Sequence, residues 1–136
     1  MGKILNRQCY YIENMTKVVF PFDVNAFFEK CSKHNAFPSN DFEKQAILLR
    51  LLNEFEDGKI YLEQEVNEKL KKYFEDYTLL RRELINFNYM RRNNVTGEYW
   101  VIKRNLTQDD IRNNTLLRRH ARAFKVLDED RMSSTN

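Results

Sequence analysis

Three successive helical patterns of apolar residues lie between residues 41 and 87. Apolar side chains recur every three or four positions over about 41–55, about 63–73 and about 77–87, which is typical of helices that bury one face. A short extended piece at 59–61 separates the first two patterns, and Asp76 is placed to cap the third helix. The sequence therefore predicts a core of three helices.

A hairpin pattern follows the third helix. Two β-rich segments, 88–92 and 98–103, flank the turn-forming residues at 93–97, and this combination favours a β-hairpin. Three helices followed by a hairpin are the order of a winged helix-turn-helix. We therefore predict an α+β fold in which residues 40–103 form a winged-helix-like domain with the hairpin as its wing, and we expect Trp100 in the core.

The outer face of the third helix and the hairpin are the candidate binding surface. In winged helices that bind DNA, the third helix enters the major groove and the wing lies beside it. Arginine suits guanine and phosphate, asparagine suits adenine, and threonine suits phosphate. The side chains expected on this surface are Thr78, Arg81, Arg82, Asn86, Arg91 and Arg92.

The two adjacent arginines of the third helix cannot share one role. Successive helical positions point about 100° apart, so Arg81 and Arg82 cannot both face the same groove equally. We expect at least one of them to be structural and to pair with Asp76, Glu63 or Glu65 across the helix packing.

The segments outside residues 40–103 add further elements. Residues 1–39 are predicted to form an extension with two short strands, 9–12 and 17–20, that could pair as a hairpin, and with a short helix that begins after Asp23. Residues 104–136 are predicted to hold one helix over about 108–126, capped by Thr107, and a tail.

The charge is unevenly distributed along the chain. Residues 76–126 carry 11 Lys and Arg residues against 5 Asp and Glu residues, whereas residues 41–75 carry 6 against 9. A locally basic segment is typical of proteins that bind nucleic acids. The arginines of the last helix could contact DNA as well, or this helix could pair with its copy in a homodimer. They are Arg118, Arg119 and Arg122.

The sequence gives little support to catalysis or to a membrane location. The two histidines, His34 and His120, lack partners at metal-ligand spacing. Cys31 and His34 could touch, but a nucleophilic pair also needs an orienting carboxylate and an oxyanion hole. There is no apolar run of about 18 residues, and two cysteines fit a reducing compartment. We expect a cytoplasmic protein of one domain with no enzymatic activity, cofactor, metal ion or membrane partner.

Four separated motifs carry a resemblance to a known family. They are 63–67 (Glu-Gln-Glu-Val-Asn), Asp76 with 80–84 (Leu-Arg-Arg-Glu-Leu), 90–92 (Met-Arg-Arg), and Gly97 with 99–100 (Tyr-Trp). Over about residues 40–100, the chain resembles the bacterial domain of unknown function numbered 2087, which also occurs beside helix-turn-helix domains in predicted transcriptional regulators. The resemblance implies a winged-helix-like unit with a regulatory role and no catalytic residue. Leu62 stands where that family usually has Thr or Ser, so the second helix lacks its usual cap.

Two functions remain open from the sequence. The first is a DNA-binding transcriptional regulator that contacts duplex DNA through the third helix and the wing. The second is a winged helix that docks onto a protein partner and does not bind DNA, because a fold does not determine a function. A small enzyme is the least supported alternative.

Overall fold

The protein has an α+β structure, described by a computed structural model for residues 17–125. Within these residues the chain forms six helices and one sheet of three strands. The helices are α1 (Val24–Lys33), α2 (Asp41–Leu51), α3 (Glu63–Leu70), α4 (Tyr77–Asn86), α5 (Gln108–Arg112) and α6 (Thr115–Arg122), and a 3₁₀ turn, Leu52–Glu54, follows α2. The strands are β1 (Tyr61–Leu62), β2 (Met90–Arg92) and β3 (Glu98–Val101). None of the helices in this part of the chain is both long and apolar enough to cross a membrane.

The chain divides into two compact units. The central unit consists of Phe22–Ser39 and Glu43–Arg104. The terminal unit is described over residues 17–21, 40–42 and 105–125. Residues 22–39, which the sequence assigns to an N-terminal extension, therefore belong to the central unit.

The core of the central unit is built from the three helices that the apolar patterns predict. The fully buried side chains are Ile47, Leu48 and Leu51 on α2, Val66 and Leu70 on α3, and Leu80 and Leu84 on α4. Each side chain of this size stabilises the fold by about 1.5–3 kcal/mol relative to an exposed position. The Asp76 carboxylate accepts a hydrogen bond from the Leu79 backbone N–H, at 3.1 Å, and so begins α4 as the sequence predicts.

The sheet confirms the predicted hairpin and adds a third strand to it. Its strands are antiparallel in the order β1-β3-β2, with Arg91 opposite Trp100 and Tyr99 opposite both Tyr61 and Arg92. Cross-strand partners point to the same face of a sheet. Tyr61, Tyr99 and Arg92 therefore share the inner face, because both tyrosines are buried, and Arg91 and Trp100 share the outer face.

The turn of the hairpin depends on the side chain of Asn93 and on the backbone conformation of Gly97. The Asn93 side-chain oxygen accepts hydrogen bonds from the backbone N–H groups of Val95 and Thr96. Gly97 has a φ of +75°, a left-handed conformation that glycine adopts without a steric cost. This arrangement of three core helices and a short sheet with a hairpin is consistent with a winged-helix-like fold.

Helix α3 is shorter than predicted. It ends at Leu70 and not near residue 73, because the chain turns there and the Tyr73 N–H bonds to the Leu70 carbonyl oxygen. At its start, the Glu65 carboxylate accepts a hydrogen bond from the Leu62 backbone N–H, at 2.9 Å. Glu65 thus supplies a hydrogen-bond acceptor to a backbone N–H at the start of α3, although Leu62 has no polar side chain of its own.

The prediction of one helix over about 108–126 is wrong. The segment forms two helices, α5 and α6, because Asn114 has an extended backbone (φ −119°, ψ 114°) and its side chain caps α6 through the Leu117 N–H. The break also decides which leucine is buried: Leu117 is buried and Leu116 is half exposed. Thr107 caps α5 as predicted, through the Asp110 backbone N–H.

The predicted strand over 17–20 is also wrong. Among the described residues, this segment forms one antiparallel bridge, between Lys17 and Thr107, next to a hydrogen bond of 2.7 Å from the Val18 N–H to the Leu106 carbonyl oxygen. The predicted strand at 9–12 and the predicted tail from residue 128 lie outside the described residues.

Candidate nucleic-acid interface

A polar stripe runs along the outer face of α4. It consists of Thr78, Arg82 and Asn86, which lie four positions apart and therefore on one side of the helix. All three side chains are exposed, whereas Leu80 and Leu84 face the core. Asn86 donates a hydrogen bond of 3.0 Å to the Glu83 carboxylate on the same helix. The structure therefore brings together three of the residues that the sequence predicted for this surface.

The side chain of Arg82 makes no polar contact within the described part of the chain. Between residues 17 and 125, the structure shows no hydrogen bond or ion pair for its guanidinium. Among the described residues, a ligand that binds Arg82 has no internal pair to break, so the five N–H donors of the guanidinium suit a phosphate or a guanine edge.

Arg81 has the structural role that was expected for one of the two arginines. Only 19% of its side chain is exposed, its Nε lies 3.8 Å from Glu63 Oε1, and its Nη1 donates a hydrogen bond to Asn67 Oδ1. Both partners lie on α3. Arg81 is therefore not part of the exposed stripe, which corrects its prediction as an outward-facing residue.

The two arginines of the hairpin also differ. Arg91 is exposed on the outer face of the sheet and, like that of Arg82, its side chain has no hydrogen bond or ion pair among residues 17–125. Arg92 has its Nε 3.6 Å from Glu63 Oε1, and its Nη1 donates a hydrogen bond of 3.0 Å to Asn94 Oδ1. Its guanidinium also lies 5.8 Å from the centre of the Tyr99 ring, within the range of a cation–π interaction.

Glu63 is the centre of a cluster that the sequence did not predict. The Tyr99 hydroxyl donates a hydrogen bond of 2.8 Å to Glu63 Oε1, the same oxygen that faces Arg81 and Arg92. Burial raises the pKa of the Tyr99 hydroxyl and the bond to Glu63 raises it further, while the charges of Arg81 and Arg92 lower it. We call Glu63, Asn67, Arg81, Arg92 and Tyr99 the Glu63 cluster. The alternation of side chains along the two hairpin strands could have shown that Arg92 and Tyr99 share a face. The position of Glu63 depends on how α3 packs, which the alternation does not show.

The outer face of the sheet carries several exposed apolar side chains beside the charged residues Arg91 and Glu98. Leu62 is 56% exposed, and Ile60 and Ile102, which continue the alternation just beyond the strands, are 49% and 39% exposed. Trp100 lies on this face and is half-buried, so its expected place in the core is wrong. A patch of this kind is a feature of surfaces that bind another molecule.

The arginines predicted on the last helix belong to the terminal unit. Arg118 is half-buried and donates a hydrogen bond of 3.2 Å to the Arg112 carbonyl oxygen, while Arg119 and Arg122 are exposed. Arg118 thus has a structural contact within the terminal unit, and pairing of α6 between two copies of the chain stays a prediction.

Cys31 and His34, the two residues considered for catalysis, lie in different environments, one buried and one exposed. Burial raises the pKa of the Cys31 thiol, and the charge of Glu43 raises it further, so the thiol is protonated at neutral pH. His34 is exposed at the end of α1, where its backbone N–H bonds to the Lys30 carbonyl oxygen. No group of three His, Cys, Asp or Glu side chains within residues 17–125 is arranged to hold a metal ion.

The comparison with family models gives one match. The model described as an uncharacterized protein conserved in bacteria (DUF2087) matches residues 34–101, which is half of the chain. The matched region includes α2, α3, α4 and the whole sheet. It agrees with the resemblance over about residues 40–100. A comparison with curated proteins and one with solved structures gave no match.

Proposed function

We propose a DNA-binding role in transcription regulation for this chain, which belongs to the DUF2087 family of uncharacterized proteins conserved in bacteria. In this proposal, α4 contacts the major groove of duplex DNA and the hairpin β2–β3 contacts the adjacent backbone, in the bacterial cytoplasm. The observation that carries it is the pair of exposed arginines, Arg82 and Arg91, one on each element that a DNA-binding winged helix uses.

The neighbours of Arg82 support this role. Thr78 and Asn86 flank it at four-residue spacing on the exposed stripe, and their side chains suit a phosphate and an adenine edge respectively. The major groove is about 12 Å wide and accepts one helix. The arginines of α6 would add a further DNA contact, or a homodimer formed through α6 would let two modules bind two half-sites.

A DNA titration tests the proposal directly. Fluorescence anisotropy with labelled genomic DNA fragments should show binding that weakens steeply as salt rises from 50 to 200 mM, because phosphate contacts release counterions. Arg82→Ala and Arg91→Ala should each weaken binding by roughly tenfold. Lys33→Ala is the matched control, because it removes one positive charge from an exposed position on α1.

The outcome of the control separates a specific site from general charge. If Lys33→Ala weakens binding as much as Arg82→Ala does, the effect is one of net charge, and the assignment to α4 is wrong. Absent binding at micromolar protein, or binding that is insensitive to salt, would reject a DNA-binding role altogether.

The alternative function is docking onto a protein partner. The apolar outer face of the sheet favours it, because Leu62 and Ile102 are exposed beside Trp100. A pull-down should then capture a partner with the wild-type protein and lose it with Leu62→Ser and Ile102→Ser. The same two variants should leave DNA binding unchanged if α4 carries the function, so the two proposals give opposite results.

A further inference from the structure

The Glu63 cluster gathers donors from three elements around one carboxylate oxygen. Arg81 comes from α4, Arg92 from β2 and Tyr99 from β3, and each faces Glu63 Oε1, at 3.8, 3.6 and 2.8 Å respectively. Two guanidinium groups and a hydroxyl are also the donors that bind a phosphate oxygen. The cluster therefore has the chemistry of an anion site whose occupant is a side chain of the chain itself.

Arg81 and Arg92 each have a partner other than Glu63. Arg81 is held by Asn67, and Arg92 is held by Asn94 and by the ring of Tyr99. Glu63 is the first residue of α3, and 43% of its side chain is exposed. Rotation of this partly exposed carboxylate into solvent would leave Arg81 and Arg92 with these other contacts.

We propose that the Glu63 cluster is a binding site for a backbone phosphate of DNA, and that the Glu63 carboxylate occupies this site until a phosphodiester displaces it. The inference rests on the proposed DNA-binding function and goes beyond it. Arg81 and Arg92, which pair with Glu63 in the structure, would contact a DNA phosphate in the complex. Glu63 would then be the residue that limits the affinity for DNA.

The test compares two carboxylates of the same helix. Glu63→Gln removes the competing charge and keeps an oxygen that can accept the hydrogen bond from Tyr99. Glu65→Gln causes the same change in net charge two positions away, and it preserves the helix start because glutamine caps as glutamate does. Anisotropy titrations with one labelled duplex of mixed sequence, at several salt concentrations, measure both variants against the wild type.

The expected result is an increase in affinity that is specific to Glu63. Removing a negative charge within a few ångströms of a bound phosphate should tighten binding on the order of tenfold for Glu63→Gln, against less than about twofold for the exposed Glu65→Gln. Arg92→Ala should abolish most of the gain when it is added to Glu63→Gln, because Arg92 is one of the released donors. Thermal unfolding of each variant tests whether the fold is intact.

The affinities of the wild type and the two glutamine variants distinguish failure of the Glu63 site from failure of the proposed function. Equal tightening by both glutamine variants, or no change by either in a wild-type protein that binds DNA, overturns the Glu63 site and leaves the DNA-binding function standing. Binding by Glu63→Gln but not by the wild type supports the site and rejects DNA binding by the natural chain. Absence of binding by both rejects the two together.

A free anion is distinguished in the same assay. Millimolar inorganic phosphate, added at constant ionic strength to the Glu63→Gln protein, should not displace the duplex, because a single ion lacks the neighbouring contacts of α4. Displacement by inorganic phosphate would overturn the assignment to a DNA backbone and would show a site for the free ion.

Discussion

Replacing each of the two adjacent arginines of α4 by alanine should separate stability from binding. Arg81→Ala removes a charged hydrogen bond to Asn67 in a partly buried setting, and such bonds contribute about 1.5–3 kcal/mol. It also removes the ion pair with Glu63, which contributes less than about 1 kcal/mol because Glu63 is 43% exposed. Arg82→Ala removes an exposed side chain and should change the free energy of unfolding by less than about 0.5 kcal/mol.

These magnitudes translate into a measurable difference in melting temperature. A loss of about 2 kcal/mol for Arg81→Ala lowers the Tm of a chain of this size by roughly 8 °C, whereas Arg82→Ala should leave the Tm within about 2 °C. Thermal unfolding followed by circular dichroism measures both, and the change in helix propensity is the same because each variant exchanges arginine for alanine. A double-mutant cycle with Asn67→Ala should give a coupling of about 1–2 kcal/mol between Arg81 and Asn67. Equal losses of Tm for the two arginine variants, or a coupling near zero, would refute the structural role of Arg81.

Three further predictions concern stability. Asn114→Ala should lower the free energy of unfolding by about 1 kcal/mol, because it removes the side chain that caps α6; urea unfolding with Asn114→Asp as the conservative control measures this. Gly97→Ala should cost about 1–2 kcal/mol because its φ is +75°. The added methyl group would lie 3.9 Å from Arg92 Nη2, an ordinary contact distance, so the cost is one of backbone conformation. Gly97→Asn should cost less in the same assay. The pKa of Tyr99 is raised in the folded chain above the ordinary tyrosine value of 10.0. Between these two pKa values the unfolded chain releases the proton and the folded chain keeps it. The free energy of unfolding should therefore fall as the pH rises through this range. Tyr99→Phe should make this fall smaller, as measured by urea unfolding between pH 9 and pH 11, and an unchanged fall would contradict the contribution of Tyr99.

The elements that could be predicted from the sequence are those determined by local interactions. Asp76 caps α4 through a residue three positions away, and the hairpin follows from turn residues between two β-rich segments. The break at Asn114 is also local, but it competes with an apolar pattern that continues across it. The apolar pattern favours one continuous helix, whereas an asparagine side chain can also hydrogen-bond to the backbone and cap a new helix.

The different roles of the four central arginines could not be predicted from spacing. Arg81 and Arg82 are neighbours in sequence, as are Arg91 and Arg92. The two residues of each pair are chemically identical, so residue type does not distinguish them. What separates them is the position of Glu63, which is set by the packing of α3 against α4 and β3. Helical spacing indicated that Arg81 and Arg82 diverge by about 100°, and named Glu63 as one of three candidate partners, but only the tertiary structure selects which arginine is paired.

The separated motifs of the sequence are joined in space by the Glu63 cluster. The motif at 63–67 contributes Glu63 and Asn67, the motif at 80–84 contributes Arg81, the motif at 90–92 contributes Arg92, and the motif at 99–100 contributes Tyr99. The cluster therefore links α3, α4 and the wing, and it fixes the elements from which Arg82 and Arg91 project. If this is its main role, variants of the cluster should lower stability and affect binding only through the fold. If it also binds phosphate, Glu63→Gln should raise the affinity for DNA more than Glu65→Gln does while it lowers or preserves stability, and a purely structural role cannot produce that difference.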